Sequence, residues 1–344
     1  MELTIESLDE VPAELRSGSW QFSTSALAPG RMASAADDTR WATTWFVASS
    51  HGQVLGAVNS RSPRSEQFLN GALDLRERAE LLGRLVPDDP RRWAFIGSNG
   101  ELASGTLTSA GLTATEATEV RTALVSRAFG EAEKAGKYAA ALYVRDQEVG
   151  SFASGLAARA TVHALASTAE LPLLGGDMDT HIAALPAGRR AVCRRDRRKF
   201  ATLGHGAQCV PAEDVIAEAA PLVCAVKRKY GVTDHPRLCA YRLRQWVLSL
   251  GPGACHASVV RDTGGALLAV SFFAVQDAVL ESYEIGLLDE LPGREWCYLQ
   301  ALIHGPVEWG LRHGCRSVDL GLDSSVVKKR RGASIGTAWA VSGA

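Results

Sequence analysis

The chain has 344 residues, of which 46% are hydrophobic and 22% charged, and its formal net charge is −1. This length exceeds one ordinary hydrophobic core and suits two domains, and the composition is typical of a globular protein in water. No apolar run reaches the length of a membrane span, and the acidic N-terminus lacks the basic and apolar segments of a signal peptide.

The seven cysteines are scattered, odd in number and form no C-x-x-C pair. They predict reduced core residues in a cytoplasmic protein without a metal site, rather than a disulfide framework.

Charge is divided unevenly: residues 1–170 contain 16 Lys and Arg against 21 Asp and Glu, whereas residues 171–344 contain 21 against 17. Any polyanionic partner is therefore expected on the C-terminal half.

Residues 1–170 predict a mixed α/β domain in which a hairpin, a strand, a helix and a further strand follow one another. Apolar and alternating runs predict strands at 3–7, 44–50, 53–60, 93–97, 139–144 and 160–166. Helical periodicity predicts helices around 74–85, at 115–135 and at 148–157. The Gly/Ser/Thr-rich segment 98–113 predicts a loop.

A linker at 171–176 is expected to precede a second domain at 177–344. The first part of this domain predicts helices at 177–203, 212–229 and 238–250. Asp177 or Asp179 is the predicted N-cap of the first of them.

The stretch 254–333 organises the second domain. Strands at 254–261, 266–275 and 278–285 predict an antiparallel meander, with turn residues at 262–265. A helix at 294–313 then leads to a strand at 317–322. That strand must run parallel to the strand before the helix, because the connection is a long crossover. A basic tail follows.

The order of an antiparallel meander followed by strand, helix and strand resembles the acyltransferase core of the GNAT superfamily. The sequence Lys328-x-x-Arg331-Gly332-Ala333 resembles a motif of a narrower group, the Fem-type peptidyltransferases and their biosynthetic relatives, often described as peptidoglycan-biosynthesis proteins. Those relatives also carry a helix of the type Leu185-Pro186-Ala187-Gly188-Arg189-Arg190, which continues here into a run of arginines.

The resemblance covers residues 177–333. It implies two tandem GNAT-like domains, each a mixed, mostly antiparallel sheet flanked by helices. The coarse order of elements in residues 1–170 agrees with such a duplication. The N-terminal domain lacks the basic motifs, so its expected role is structural or acceptor-binding.

The arginine run has seven basic residues within eleven positions, 189–199. Arg190, Arg194, Arg197 and Arg198 share one helical face, and Arg195 lies beside it. These cations repel one another on an isolated helix, and a phosphate-rich ligand relieves that repulsion. They predict a binding surface for RNA or for a nucleotide-linked substrate. A second basic cluster that contains Lys227 supports this, and a solvated helix paired with acids is the alternative.

Amide formation needs an amine to lose a proton and an oxyanion to be stabilised. The resemblance implies that Lys328 neutralises the developing negative charge, and Arg331 has the geometry to hold a phosphate. Tyr283 and Glu284 lie on the strand that borders the acyl group in this superfamily, and strand alternation predicts that at most one of them faces the site. Asp319 on the returning strand is a further candidate acid, with a structural salt bridge as the alternative.

The segment 287–296 bears on the acyl donor. Acetyl-CoA enzymes of the superfamily carry R/Q-x-x-G-x-G/A in this place, whereas this chain has one glycine, the acids Asp289 and Glu290, and the bulky Trp296. The Fem-type relatives depart in a similar way and use aminoacyl-tRNA. The departure therefore favours aminoacyl-tRNA as co-substrate, with no other cofactor.

We therefore predict an aminoacyltransferase that joins an aminoacyl group from aminoacyl-tRNA to an amine of a small molecule or peptide, in natural-product or cell-wall biosynthesis. Two alternatives stay open. One is an acyl-CoA-dependent N-acyltransferase of the same fold, and the other is a non-catalytic RNA-binding module with a degenerate GNAT fold.

Overall fold

The computed structural model describes residues 1–65, 71–82 and 86–343. The chain forms two compact units: unit 1 comprises Met1–Ala166 and Thr337–Ala344, and unit 2 comprises Ser167–Gly336. These bounds differ from the predicted domains 1–170 and 177–344, because a strand at Ala160–Pro172 crosses the division and ends inside the predicted linker. The segment after Gly336 also returns to unit 1.

The strands and helices that begin in unit 1 are β1 (Thr4–Leu8), β2 (Trp20–Gln21), α1 (Pro29–Ala36), β3 (Trp41–Ser50), β4 (Gln53–Pro63), α2 (Ala79–Leu82), β5 (Trp93–Ile96), β6 (Leu107–Ser109), α3 (Ala114–Lys134), β7 (Tyr138–Arg145), α4 (Asp146–Leu156) and β8 (Ala160–Pro172). Thr113 starts α3 through a capping box, in which its hydroxyl accepts from the Glu116 N–H while the Glu116 carboxylate accepts from the Thr113 N–H.

The elements that begin in unit 2 are α5 (Met178–Ala184), α6 (Ala187–Ala201), β9 (Gly206–Pro211), α7 (Ile216–Lys229), α8 (Pro236–Leu250), β10 (Cys255–Arg261), β11 (Leu267–Gln276), β12 (Val279–Leu287), α9 (Arg294–Leu299), α10 (Gly305–Arg312), β13 (Ser317–Leu322), α11 (Ser325–Lys329) and β14 (Ser334–Gly343). Asp177 caps α5 by accepting from the N–H groups of Asp179 and Thr180. Within the described part of the chain, none of the helices has the length and apolarity required to span a bilayer.

The two units repeat one strand plan. Hydrogen-bonded neighbours follow the order β1-β3-β4-β5-β7-β14 in unit 1 and β9-β10-β11-β12-β13-β8 in unit 2. In each unit the first four strands pair antiparallel, the next pairing is parallel, and the last is antiparallel. Strands β7 and β13 thus hold equivalent positions after their crossover helices. The predicted tandem mixed fold, mostly antiparallel, is confirmed.

Helices cover both faces of the unit 2 sheet. Phe272 and Phe273 are neighbours on β11, are fully buried and point to opposite faces. Phe272 packs with residues of α7 and α8, and Phe273 packs with residues of α10 and of the turn before it. Full burial of such a side chain contributes about 1.5–3 kcal/mol, so the meander is held from both sides.

Several predicted elements differ in detail from the structure, for identifiable reasons. The helix predicted at 177–203 is broken between α5 and α6, because Leu185 precedes Pro186 and adopts extended backbone (ψ 151°). The helix predicted at 294–313 is confirmed from Arg294 to Arg312, and it contains a π-helical turn at Gln300–His304. Pro306 lacks an N–H there and cannot continue the regular hydrogen-bond ladder.

Other differences concern short or terminal elements. The predicted basic tail contains α11 and β14, and the predicted loop 98–113 contains β6. Helix α1 and strand β9 were not predicted. Over the described residues, the helix predicted around 74–85 is reduced to 3₁₀ turns and α2, and residues 83–85 lie outside the described part.

Candidate active site

Strands β12 and β13 separate after a short parallel pairing. Three consecutive residues, Val279 to Glu281, pair with Ser317 to Asp319, and the described residues of the two strands form no further pair. The positions that follow on each strand therefore border a gap near the carboxyl end of β13. Tyr283 and Glu284 follow on one side, and Gly321 and Leu322 follow on the other.

A β-bulge lies on β12 at the start of this gap. Ser271 of β11 pairs with Ile285 and Phe273 pairs with Ser282, so Phe272 alone lies opposite both Tyr283 and Glu284. The prediction that these two side chains point to opposite faces is therefore wrong. Both point toward α7 and α8, and the Tyr283 ring stacks on Trp246 with 4.6 Å between the ring centroids.

Glu284 belongs to a four-residue charge cluster. Its Oε1 accepts from Lys227 Nζ at 2.8 Å and from Arg242 Nη2 at 3.3 Å. The same two cations contact Asp234 Oδ2, at 3.3 Å from Lys227 and 2.7 Å from Arg242. Among the described residues, the buried Glu284 Oε2 accepts no hydrogen bond.

The cluster is electrically balanced, with two acids and two cations. Burial would raise the pKa of Asp234, but the hydrogen bond and charge of Arg242, with Lys227, outweigh it and lower the pKa. Lys227, predicted as a donor contact, is consequently paired with two carboxylates.

Lys328 and Asp319 both bind the turn that ends β13. The Lys328 ammonium is almost fully buried and donates to the carbonyl oxygens of Gly321 at 3.3 Å and Leu322 at 2.8 Å. Asp319 Oδ1 accepts from the Gly321 N–H at 2.8 Å. Gly321 has φ +75°, a conformation that glycine adopts without strain. The turn thereby fixes the lysine charge at the end of the strand that borders the gap.

Arg331 forms a buried ion pair with the arginine helix. Its Nε donates to Asp196 Oδ2 at 2.7 Å, and the two side chains are 7% and 1% exposed. Arg331 Nη1 also donates to the Val327 carbonyl at 2.8 Å. Asp196, the single acid inside the arginine run, thus joins the two motifs that the sequence analysis singled out.

His304 lies on the other side of this carboxylate. Its Nε2 is 3.7 Å from Asp196 Oδ2, within the π-helical turn. Burial would raise the pKa of Asp196, but the contacts with His304 and Arg331 outweigh it and lower that pKa. The ionised carboxylate is therefore the form that the fold favours.

The predicted donor-binding arginines divide between two faces of α6. Arg194, Arg197 and Arg198 border a shallow surface depression of about 650 Å³. Arg197 also pairs with Asp179 at 2.9 Å, and Arg190 donates to the Ala183 carbonyl at 2.8 Å. These residues form the outer face.

Arg195 lies on the other face, toward a groove between α6, α9 and α11. Its guanidinium is 5.8 Å from the centre of the Trp296 ring and its Nη2 is 3.4 Å from Asp196 Oδ1. The groove has a volume of about 770 Å³. Its cations are Arg189, Arg195, Lys329, Arg330 and Arg331, and its aromatic residues are Trp296 and Tyr298.

Tyr298 connects the groove to the turn that carries Lys328. Burial raises the pKa of its phenol, while a hydrogen bond with Ser324 acts in the opposite direction. Ser324 directly precedes α11.

Sequence reasoning missed Tyr298, Asp196, Asp234 and Arg242. The signal that pointed to Asp196 was its isolation among arginines, and nothing local pointed to the others.

One group of potential metal ligands occurs among the described residues, with the ligand atoms of Cys224, Asp234 and Cys239 within 4.8 Å of one another. Burial raises the pKa of the Cys239 thiol to about 12, and Asp234 already pairs with Arg242. A thiolate site for a cation is therefore disfavoured here.

Two units with this strand order, the second of them with a gap beside its parallel pair, define a tandem GNAT fold. A solved structure of FemX matches with a TM-score of 0.59 at 9% identity, over 94% of this chain and 96% of that one. A tandem GNAT protein from the clavulanic acid biosynthesis pathway matches with a TM-score of 0.50 at 15% identity, over 99% and 98%.

A third similar structure is the C-terminal domain of a putative lysylphosphatidylglycerol synthetase from Agrobacterium fabrum, with a TM-score of 0.51 at 13% identity, over 73% and 77%. No protein-family model and no curated protein sequence matches the chain. At these identities the similarity establishes the fold.

Proposed function

We propose that this protein is an N-acyltransferase that forms an amide between an aminoacyl group, delivered by aminoacyl-tRNA, and an amine of a small molecule or peptide. The observation that carries the proposal is the position of the Lys328 ammonium. It is anchored to the Gly321 and Leu322 carbonyls beside the gap between β12 and β13, next to a cation-lined groove.

The charge around the gap supports a donor rich in phosphate. The groove between α6, α9 and α11 carries several cations beside a single acid, Glu295. Arg194 and Arg198 extend positive charge over the outer face of α6. Backbone phosphates are the ligand that such an extended basic surface suits, and Trp296 offers a ring for an unpaired base.

The chemistry follows from two groups. The amine attacks the ester carbonyl of the aminoacyl group and a tetrahedral oxyanion forms. The oxyanion collapses with cleavage of the ester C–O bond, and the ribose oxygen leaves as a hydroxyl with the proton that the amine has lost. The Lys328 ammonium would stabilise the oxyanion. Glu284 is the candidate proton acceptor for the attacking amine, because Lys227 and Arg242 hold its Oε1 while the described residues leave its Oε2 without a donor.

Unit 1 is expected to be structural or acceptor-binding. Beyond the β5–β7 pairing, Ser104 forms a parallel bridge to Val144, and Gly105 donates to the Gly97 carbonyl. The chain itself thus occupies the place that corresponds to the gap in unit 2, which argues against a second acyl-donor site.

The similarity to FemX adds support to a peptide-bond-forming reaction, and aminoacyl-tRNA as donor agrees with the predicted cytoplasmic location. Acyl-CoA stays the alternative donor. A non-catalytic RNA-binding module is the alternative from another class.

The test is turnover with charged tRNA and, separately, with acyl-CoA, using small amines and peptides as acceptors. Lys328→Ala should lower turnover by about 10²–10³ with a smaller effect on binding, since its charge acts mainly in the transition state. Lys328→Arg should recover only part. Lys329→Ala is the matched control and should weaken binding rather than turnover.

The outcomes separate the alternatives. Turnover with acyl-CoA alone would transfer the proposal to that donor. Tight RNA binding without turnover would identify a binding module. Equal small losses at Lys328, Lys329 and Arg330 would mean that the segment acts only as a diffuse positive charge.

A further inference from the structure

Helix α8 is apolar on both of its faces. Cys239, Leu243 and Trp246 are buried against the sheet of unit 2. On the outward face, Leu238, Tyr241 and Leu248 are 63%, 61% and 72% exposed. A helix that borders water normally carries polar residues on that face, so this outer stripe has another use.

Two further exposed apolar residues lie in the segment before α8. Tyr230 is 79% exposed and Val232 is 44% exposed. Together with the three residues on α8 they make five of the fourteen large hydrophobic side chains that are exposed in the described chain. Exposed apolar residues concentrated in this way mark an interaction site rather than ordinary surface scatter.

The exposed charges of α8 itself are positive, whereas the short turn Ala212–Asp214 that contacts the helix carries two exposed acids, Glu213 and Asp214. The remaining exposed residues of α8 are Arg237 and Arg244, and the helix contains no Asp or Glu. Arg228, in the last turn of α7, is also exposed. Lys229 differs, because it pairs with Asp289.

We propose that this surface, Tyr230, Val232, Leu238, Tyr241 and Leu248 with Arg237 and Arg244, docks the protein on an anionic lipid bilayer. The leucines and the valine would enter the boundary between headgroups and acyl chains, and the tyrosines suit the headgroup level. The arginines would lie along the apolar surface with their guanidinium groups at lipid phosphates.

The other occupants fit the surface less well. A second copy of this face would bring the exposed arginines of α8 opposite the same arginines, and α8 contains no acid to pair with them. RNA would find partners in the arginines and tyrosines, but it would leave Leu238, Val232 and Leu248 without an apolar partner. An apolar segment of a protein partner usually enters a groove, whereas these residues lie on an outward helix and its adjoining turn.

The proposal is independent of the acyl-transfer chemistry and concerns where the protein works. Its test is co-sedimentation of the full chain with vesicles of phosphatidylcholine mixed with phosphatidylglycerol, compared with phosphatidylcholine alone. Binding is expected on the mixed vesicles and should weaken with added salt, because screening reduces the attraction between arginines and anionic lipid.

The combined variant Leu238→Ser, Tyr241→Ser, Leu248→Ser should weaken vesicle binding by about 10²-fold or more, at roughly tenfold for each leucine. The variant Arg237→Gln, Arg244→Gln should weaken it by roughly fivefold per residue on mixed vesicles. The matched control is Leu102→Ser, Val162→Ser, Leu174→Ser, which changes three exposed residues elsewhere and should leave binding unchanged.

The proposal is overturned if the wild-type chain remains in the supernatant with both vesicles, or if the serine variant sediments as the wild type does. It is also overturned if light scattering shows a dimer that the serine variant abolishes, since the stripe is then a self-interface. Loss of RNA binding in the serine variant would instead assign the stripe to RNA. The arginine variant retains the apolar residues, so it tests separately whether the positive charges contribute to vesicle binding.

Discussion

Removal of the Arg331 side-chain charge should destabilise unit 2. Asp196 is 1% exposed, and its Oδ2 accepts from Arg331 Nε at 2.7 Å. Arg331→Met keeps much of the side-chain volume but removes the shortest cation contact of the buried carboxylate, which then retains, among the described residues, only Arg195 at 3.4 Å and His304 at 3.7 Å. Loss of one partner of a buried ion pair costs about 3–5 kcal/mol. A domain of roughly 150–250 residues loses about 2–4 °C in Tm per kcal/mol, so the expected decrease is about 6–20 °C.

Thermal unfolding by circular dichroism measures this decrease. Arg194→Met, on the exposed side of the same helix, is the control and should change stability by no more than about 0.5 kcal/mol. The double variant Asp196→Asn, Arg331→Met removes both charges, and its loss should be smaller than the sum of the two single losses. A small decrease equal to that of Arg194→Met, or simple additivity in the double variant, would refute the ion-pair reasoning.

The pH dependence gives an independent check. The pKa of Asp196 is lowered in the folded protein, so its contribution to stability is present above the unfolded pKa and is lost as pH falls through the folded value. The difference in Tm between wild type and Arg331→Met should therefore be largest near neutral pH and should shrink toward about pH 4 and below. A constant difference would show that Arg331 acts through packing alone.

Three further predictions concern the site. If Glu284 accepts the proton of the attacking amine, Glu284→Gln should lower turnover by about 10²–10⁴ without weakening donor binding. In the same steady-state assay, the control Glu218→Gln, which changes an exposed residue, should behave as wild type. The double variant Arg194→Gln, Arg198→Gln should reduce the slope of log affinity for tRNA against log salt by about 0.7–0.9 per lost phosphate contact. Its control is the double variant Arg16→Gln, Arg92→Gln. An unchanged slope would mean that the outer face of α6 is merely solvated. Trp296→Ala should weaken donor binding by about 1–3 kcal/mol in a fluorescence titration if a base stacks on its ring, while Trp296→Phe should retain most of the affinity.

The meander of unit 2 was predictable because its signals are local. Apolar runs, turn residues and a glycine after the crossover helix determine β10 to β13, and β13 has the predicted bounds 317–322. The bulge at Tyr283 and Glu284 was not predictable, because it arises from the register between β11 and β12 and leaves no mark in either strand alone. Periodicity therefore assigned these side chains to opposite faces, whereas both lie on the side of α7 and α8.

The candidate site was predictable only in part for a related reason. The arginine run and the Lys328 to Arg331 segment are visible as composition, but the partner of Arg331 lies 135 positions away along the chain. Asp196 reads locally as an interruption of a basic helix. Likewise, the pairing of Lys227 with Glu284 depends on how α7 packs on β12, which a sequence pattern does not contain.

The last strand of unit 1, β14, follows the whole of unit 2 in the chain and is therefore made after it. Residues of β14 pair with β7 between Ala338 and Ser342, although all of unit 2 separates these strands in the chain. During translation, β7 therefore leaves its outer edge without this partner until residues 338–342 emerge from the ribosome. Unpaired strand edges are where nascent chains aggregate, and domains normally fold in the order of synthesis. Completion of the first domain must therefore wait until the whole of the second domain has been synthesised.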